Sequence, residues 1–230
     1  MSKLKSLVVA TALVCTSFSA SAGIVTLMGD DVTFTFEDST LYGNGTVVGN
    51  SIFFAPTNFQ AESLNGEGTV TEDQTLNVRV QVKDESTYTI TEVVLAEQGD
   101  YLLNGAGTSV DASARLQVTS NTTTCGFFAC TDSEIDNVTG LGTTGALTEW
   151  QAFADIDLAE TAGWVFDTDV NANIQNNLSA TTTQAATSAM IEKKFGAIGI
   201  EVTVVPVPAA VWLFMSALGL LGSLRMRRTG

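Results

Sequence analysis

Any catalysis by this chain would have to depend on carboxylates. The sequence contains no histidine, which excludes the usual general base, the Ser-His and Cys-His pairs and most catalytic zinc sites. Glycoside hydrolysis needs only two carboxyl groups that flank the scissile bond. Glu149 beside Trp150, with Asp155 and Asp157, is the one set that suits it, since on a strand the three acids share a face. In so acidic a chain, such acids more often lie on a solvated polar face. We therefore predict that the protein is not an enzyme.

A second group of oxygen-bearing side chains resembles the start of a calcium loop. Its members are Asp167, Asp169, Asn171 and Asn173, at alternate positions. The pattern departs from an EF-hand, because Ala172 replaces the required glycine and Leu178 the bidentate glutamate. A looser calcium site in a loop of a β-sandwich stays open, with Asp30-Asp31 as a weaker candidate. We predict no required cofactor.

Aromatic side chains are candidates for glycan binding, because flat rings stack on sugar faces. The residues concerned are Phe53, Phe54, Phe127, Phe128 and Trp164. Most aromatic side chains pack in a core or under a loop. Phe127 and Phe128 differ, because the cysteines on either side of them could hold both rings exposed.

The cysteines indicate an oxidising compartment. Cys15 lies in a segment predicted to be removed, which leaves Cys125 and Cys130 as an even pair. Such a pair in an exported protein predicts a disulfide that fixes a local turn. A redox-active pair is the weaker alternative, since no helical pattern flanks the C-x4-C spacing.

The central region is strongly acidic. The whole chain carries a formal charge of −15, but half of its ten basic residues lie at the two ends. The region between the ends keeps five basic residues against all 25 acidic ones, a net charge of −20. A surface this negative repels nucleic acid and anionic lipid, so we predict no nucleic-acid partner.

Residues 23–204 have the pattern of an all-β domain. Apolar residues alternate with polar ones, as in Val32, Phe34 and Phe36, and turn residues separate the runs. We predict a single antiparallel β-sandwich with a jelly-roll-like arrangement. Residues 120–147 are predicted to be mostly loop, and 171–187 partly strand and partly flexible. A last strand around Val202 leads into the C-terminal segment.

The first 22 residues have the three parts of a secretory signal peptide. Lys3 and Lys5 precede a short apolar run, and a small-x-small site ends the segment. Ala20 and Ala22 define this cleavage site, which makes Gly23 the first residue of the mature protein. The apolar run is too short to span a bilayer.

The last 26 residues look like a sorting signal. A proline motif precedes the apolar stretch 207–224, which is long enough for a membrane-spanning helix, and arginines follow it. The motif and basic residues are Val205, Pro206, Val207, Pro208, Ala209, Arg225, Arg227 and Arg228. They resemble the PEP-CTERM class of sorting signals in its VPLPA form, with Val207 in place of leucine. A permanent membrane anchor is the alternative.

The resemblance implies processing by an exosortase in a Gram-negative bacterium that makes exopolysaccharide. It covers only residues 205–230 and implies transient anchoring in the inner membrane, then a cell-surface or extracellular location. We therefore predict a non-enzymatic surface or matrix protein associated with exopolysaccharide or a biofilm. A calcium-dependent lectin-like or adhesion module is the first alternative, and a carboxylate-based polysaccharide hydrolase the second.

Overall fold

The protein is built from β-strands throughout the part that the structure, a computed structural model, describes. That part comprises residues 23–38, 41–142, 145–160, 164 and 166–206, and it contains twelve strands and no helix. The strands are β1 (Ile24–Met28), β2 (Val32–Glu37), β3 (Gly45–Val48), β4 (Ser51–Phe54), β5 (Gln60–Leu64), β6 (Gly68–Val82), β7 (Tyr88–Asn104), β8 (Thr108–Cys125), β9 (Phe128–Val138), β10 (Thr148–Asp157), β11 (Asp169–Thr182) and β12 (Ser188–Pro206).

The strands form two antiparallel sheets. Sheet I has the order β1-β2-β6-β11-β8-β9, and sheet II has the order β10-β7-β12-β4-β3, with β5 also paired to β12. From β9 onward the chain alternates between the sheets, so neither sheet is a separate unit of sequence. The predicted antiparallel β-sandwich is confirmed.

One hydrophobic core lies between the two sheets. The predicted alternation is observed in β2, where Val32, Phe34 and Phe36 are buried and face inward. The Phe36 ring of sheet I meets the Phe54 ring of sheet II edge-on, with centroids 5.2 Å apart. Such edge-to-face contacts are favourable for aromatic pairs and join the two layers directly.

The predicted loops in the second half are largely strands. Residues 120–125 end β8, and residues 128–138 form β9. Of the segment 171–187, predicted to be partly strand and partly flexible, residues 171–182 belong to β11 and residues 183–187 form the turn that leads to β12. The asparagines that suggested a loop bond across the outer face of sheet I instead. Asn173 Nδ2 donates to Asn77 Oδ1 at 2.6 Å, and Asn171 Nδ2 donates to Asn121 Oδ1 at 2.9 Å. Cross-strand pairs of this kind stabilise a sheet whose residues have low strand propensity.

The last strand carries the chain to the proline motif. Val205 and Pro206 are the final residues of β12, and both are exposed. The other predicted signals lie outside the described residues. These are the signal peptide 1–22 with Ala20 and Ala22, Val207, Pro208, Ala209, the helix 207–224, Arg225, Arg227 and Arg228. Within the described ranges, no helix has the length and apolarity needed to cross a bilayer.

Candidate functional site

Three polar side chains lie in the core where the strand pattern calls for apolar ones. Glu97 is on β7, Lys193 on β12 and Asn176 on β11, so two come from sheet II and one from sheet I. Each follows a buried aliphatic residue two positions earlier on the same inward face. All three are at most 5% exposed. Because isolated polar groups are costly to bury, their grouping makes this cluster the leading candidate for a functional site.

Glu97 joins the members of this buried cluster. Its Oε2 forms an ion pair with Lys193 Nζ, and both side chains are 0% exposed. A polar interaction with the Asn176 side chain lowers the pKa of the same carboxyl group. Lys193 Nζ also lies 5.0 Å from the centroid of the Trp150 ring and 5.6 Å from that of Phe59. The amine is thus enclosed by one acid and two aromatic rings.

Tyr42 closes the cluster on the side of sheet I. Its hydroxyl donates to Gln74 O at 3.1 Å and accepts from Asn176 Nδ2 at 3.0 Å. Burial raises the pKa of this phenol, the charge of Glu97 raises it further, and the bond from Asn176 opposes both. The phenol therefore stays protonated and holds the Asn176 amide in place.

Burial favours the neutral forms of the ion pair. It raises the pKa of Glu97 against the opposing charge and hydrogen bond of Lys193, and it lowers the pKa of Lys193 against those of Glu97. Glu97 Oε1 and Asn176 Oδ1 are buried, and neither has a hydrogen-bond partner in the described part of the chain. A proton on Glu97 therefore matches the geometry better than a carboxylate with one unsatisfied oxygen.

Sequence reasoning missed this cluster, although a signal was present. Lys193 lies two residues after Ile191 and Glu97 two after Leu95, so each occupies the inward phase of an alternating strand. A charged residue at that phase indicates a buried partner. The position of Asn176 in space could not be predicted, because it depends on how the two sheets are superposed.

The predicted acid-and-aromatic site is divided by the strand that carries it. Glu149, Asp155 and Asp157 lie on the exposed face of β10, as predicted, but Trp150 points into the core. Trp150 Nε1 donates to Glu192 O at 3.2 Å. Glu149 and Asp155 are six positions apart on the strand, roughly 20 Å, which exceeds the spacing of paired glycosidase carboxyls. Glu149 therefore cannot act with Asp155 as a catalytic pair, and Trp150 does not line a sugar site beside either acid.

The backbone N–H groups of two residues on the exposed face of β10 donate hydrogen bonds to acids from sheet I. The Asp155 N–H donates to Glu134 Oε2 at 2.8 Å, and the Phe153 N–H donates to Asp136 Oδ2 at 3.0 Å. Burial and the charges of Glu92 and Glu134 raise the pKa of Asp155. Both β9 and β10 are edge strands, so these carboxylates occupy N–H groups that would otherwise be open to another strand.

The residues of the predicted calcium loop start a strand instead of forming a loop. Asp169 is the first residue of β11, and its carboxylate accepts hydrogen bonds from Arg79 and Asn121. Asp167 is fully buried and accepts from Trp164 Nε1 at 2.7 Å and Thr122 Oγ1 at 2.8 Å. Both carboxylates thus face hydrogen-bond donors, and one faces a guanidinium that repels cations.

The remaining calcium candidates also make contacts within the protein. Asn171 and Asn173 lie on the outer face of β11, in the amide pairs described above. Asp31 Oδ2 accepts from Asn50 Nδ2 at 3.0 Å, and the Asp30 carbonyl accepts from Lys83 Nζ at 3.1 Å. Among the described residues, no cluster of three or more acids, cysteines or histidines has a metal-binding arrangement.

The predicted disulfide is present at the tip of the β8–β9 hairpin. Cys125 and Cys130 are bonded with their Cα atoms 4.8 Å apart. The pairing of Cys125 with Phe128 leaves Gly126 and Phe127 as a two-residue turn, and Gly126 has a φ of +83°. Phe127 is 99% exposed and Phe128 81%. The expectation that this loop holds two rings in solvent is therefore met.

The other aromatic candidates divide between core and surface. Phe54 and Trp164 are buried, which removes them from any glycan platform, and Phe53 is partly exposed. Trp164 lies in a segment with no regular alternation, and the sequence gives no sign of its burial against Asp167.

Comparisons with known proteins add little to this description. No protein-family model and no curated protein matches the chain. The VP2 subviral particle of infectious bursal disease virus is 17% identical, with a TM-score of 0.28, over 77% of this chain and 49% of its own. A second structure, of the Gt strain of that virus, is 16% identical with a TM-score of 0.26, over 69% and 40%. The chain thus spans half or less of those chains, and likeness this weak supports no argument about function.

Proposed function

We propose that the chain is a non-enzymatic bacterial surface or extracellular-matrix protein, exported, processed by an exosortase and associated with exopolysaccharide. The observation that carries this proposal is the position of the proline motif. Val205 and Pro206 are the last described residues of β12, and both are exposed. Val205 and Pro206 pair with Thr89 and Tyr88 of β7, so a peptidase at the membrane surface would meet the start of the motif at the exposed end of β12.

The chemistry of the surface supports the same proposal. The outer face of sheet I carries amides and hydroxyls that bond to one another, as in the Thr69–Thr181 pair at 2.8 Å. The net charge of −20 between the two predicted signals keeps such a protein soluble. A disulfide at an exposed hairpin suits an oxidising compartment.

The test is the mass and location of the protein in its native cells. We expect a mass that starts at Gly23 and ends near Pro208, and retention that is lost in cells without exopolysaccharide. Replacing Pro206 and Pro208 together by alanine should leave the C-terminal segment uncut. Pro56 is the remaining proline, and Pro56→Ala is the control that should be processed normally. An uncut wild-type protein would refute the exosortase step, and unchanged retention without polysaccharide would refute the association.

A lectin-like module is the second candidate, favoured by the exposed rings of Phe127 and Phe128 on a disulfide-bonded tip. We expect the double variant with both residues replaced by serine to lose binding to purified exopolysaccharide. Phe153 is 55% exposed on β10, so Phe153→Ser is the matched control. Titration with and without a calcium chelator distinguishes calcium-dependent binding from binding by the aromatic rings alone.

A further inference from the structure

The buried cluster unites an amine, a carboxyl group and a carboxamide where water does not reach. A buried ion pair contributes little net stability, because the loss of hydration offsets the attraction. The Asn176 side chain interacts with the same carboxyl group and lowers its pKa, and its Oδ1 is buried without a hydrogen-bond partner among the described residues. Tyr42, which accepts from Asn176 Nδ2 at 3.0 Å, lies with its ring centroid 6.0 Å from that of Phe59, one of the two rings around Lys193 Nζ. The three groups together have a chemistry that the pair alone lacks.

We propose that the Lys193 amine and the Asn176 carboxamide condense into an intramolecular isopeptide bond, with Glu97 as the proton carrier. Lys193 Nζ forms a bond to Asn176 Cγ, and the bond between Cγ and Nδ2 breaks. One amide replaces another and ammonia leaves. No atom changes its oxidation state, so the reaction needs no oxidant, cofactor or second protein. This inference is independent of the proposed sorting and location.

Glu97 has a defined role at each step. It takes a proton from the Lys193 ammonium, which frees the nitrogen lone pair for attack. The neutral carboxyl then donates to Asn176 Oδ1 and stabilises the negative charge that develops there. Glu97 transfers a further proton from Nζ to Nδ2, which departs as ammonia. Of the protons on the ammonium and the amide, one stays on the new amide, one on Glu97, and the rest leave with the nitrogen.

The two unsatisfied oxygens fit the protonation state that the reaction requires. Glu97 Oε1 and Asn176 Oδ1 are both acceptors, and neither can satisfy the other while Glu97 is ionised. A proton on Oε1 turns it into a donor. Burial also raises the pKa of Glu97 and lowers that of Lys193, so the neutral acid and the nucleophilic amine are favoured together.

The surroundings restrict the reaction to this pair. The rings of Trp150 and Phe59 enclose Lys193 Nζ at 5.0 and 5.6 Å and exclude water. Tyr42 fixes the amide through its bond to Asn176 Nδ2. Holding reactants in position replaces a bimolecular encounter and accelerates such reactions greatly. The neighbouring Lys194 bonds to Asp100 and Glu149 instead, with its side chain 39% exposed.

The test is peptide mapping of the full chain, purified as cells produce it. Digestion by chymotrypsin, which cleaves after leucine, separates Asn176 from Lys193 at Leu178 in an unlinked chain. We expect a branched peptide that contains both residues and is lighter by one ammonia than the sum of its parts. Separate, unmodified peptides for Asn176 and Lys193 would overturn the proposal.

Variants assign the roles of the residues. Glu97→Gln and Lys193→Met should abolish the branched peptide, whereas Lys194→Met should keep it at the wild-type yield. Asn176→Ala removes the acceptor and leaves the ion pair intact, so it gives the same readout if Glu97→Gln does not fold. A branched peptide that persists in Glu97→Gln would overturn the assignment of Glu97.

A second source of ammonia loss has to be distinguished. Asparagines followed by glycine can form succinimides with the same change in mass, and the chain has three such pairs, at Asn44, Asn65 and Asn104. Fragmentation of the peptides locates the change. Ammonia loss found only at those pairs, and unaffected by Glu97→Gln, would overturn the proposal.

Discussion

Trp150 and Lys193 lie on opposite sides of the same glycine. Both are paired in register with Gly99 of β7, one from β10 and the other from β12. Because Gly99 has no side chain, the indole extends across it to within 5.0 Å of the Lys193 amine. A β-carbon on Gly99 would overlap the Glu192 carbonyl oxygen and lie 2.6 Å from Trp150 Nε1. The glycine thus makes room for the aromatic wall of the buried cluster.

Gly99→Ala should therefore destabilise the protein. Overfilling a packed core costs about 1–3 kcal/mol, and the backbone contact with Glu192 places this variant at the upper end of the range. Denaturant unfolding measures the loss. Gly142 has nothing within 4 Å of its would-be β-carbon, so Gly142→Ala is the control and should change stability by less than about 0.5 kcal/mol. Equal effects of the two variants would contradict the packing argument.

Asp169 should make the free energy of unfolding depend on pH in the acidic range. Burial alone would raise the pKa of this carboxyl, but the bonds from Arg79 and Asn121 outweigh burial and lower it. Because the folded-state pKa lies below the ordinary 3.8, the ionised Asp169 side chain contributes its full stabilisation to the folded protein above pH 3.8. This stabilisation is lost as the pH falls through the lower, folded-state pKa.

Asp169→Asn is the variant that measures this contribution. It should reduce the unfolding free energy at neutral pH by about 1 kcal/mol, since solvent screens the half-exposed Arg79. The difference from wild type should shrink as the pH falls toward about 3. Asp73 is an exposed acid on β6, and Asp73→Asn is the control. A difference between wild type and Asp169→Asn that does not change with pH would contradict the mechanism.

The ionised Asp155 side chain should destabilise the folded protein, whereas the ionised Asp169 side chain stabilises it. The pKa of Asp155 is raised by burial and by the charges of Glu92 and Glu134, so its ionised form destabilises the folded state above the ordinary value of 3.8. Asp155→Asn should raise the free energy of unfolding at neutral pH, and with it the melting temperature; the gain should be less than about 1 kcal/mol because the site is exposed. The gain should vanish below the ordinary pKa, where the acid is protonated in both states. A melting temperature that falls at neutral pH would contradict this account.

Glu134 and Asp136 should protect the edge of sheet II. Each accepts a backbone N–H of β10, and an intramolecular hydrogen bond contributes about 1 kcal/mol. Replacing both acids by alanine should lower stability by roughly that amount per bond and increase self-association, measured by light scattering. Asp132 Oδ1 accepts from Ser133 N instead, so Asp132→Ala should leave both properties unchanged.

The sequence predicted the sandwich because its alternation needs no knowledge of the pairing. Val32, Phe34 and Phe36 face inward in any sheet that contains them. The polar strands were not predicted in full because asparagine is typical of loops unless its side chain finds a hydrogen-bond partner on a neighbouring strand. Such a partner, as Asn77 is for Asn173, is known only once the register of β6 against β11 is known. The buried cluster was missed for a related reason. The inward phase of Lys193 could be inferred from its neighbours, whereas the meeting of Glu97 with Asn176 depends on how two sheets stack.

β12 is the longest of the described strands and the central strand of sheet II, paired to β7 along most of its length and to β4 and β5 on the other side. A tether attached beyond Pro206 would pull along the axis of this strand. Its hydrogen bonds would then be loaded in shear and would have to break together, not one by one as in an unzipping hairpin. The last strand is thus built to resist mechanical extraction from its own C-terminal end.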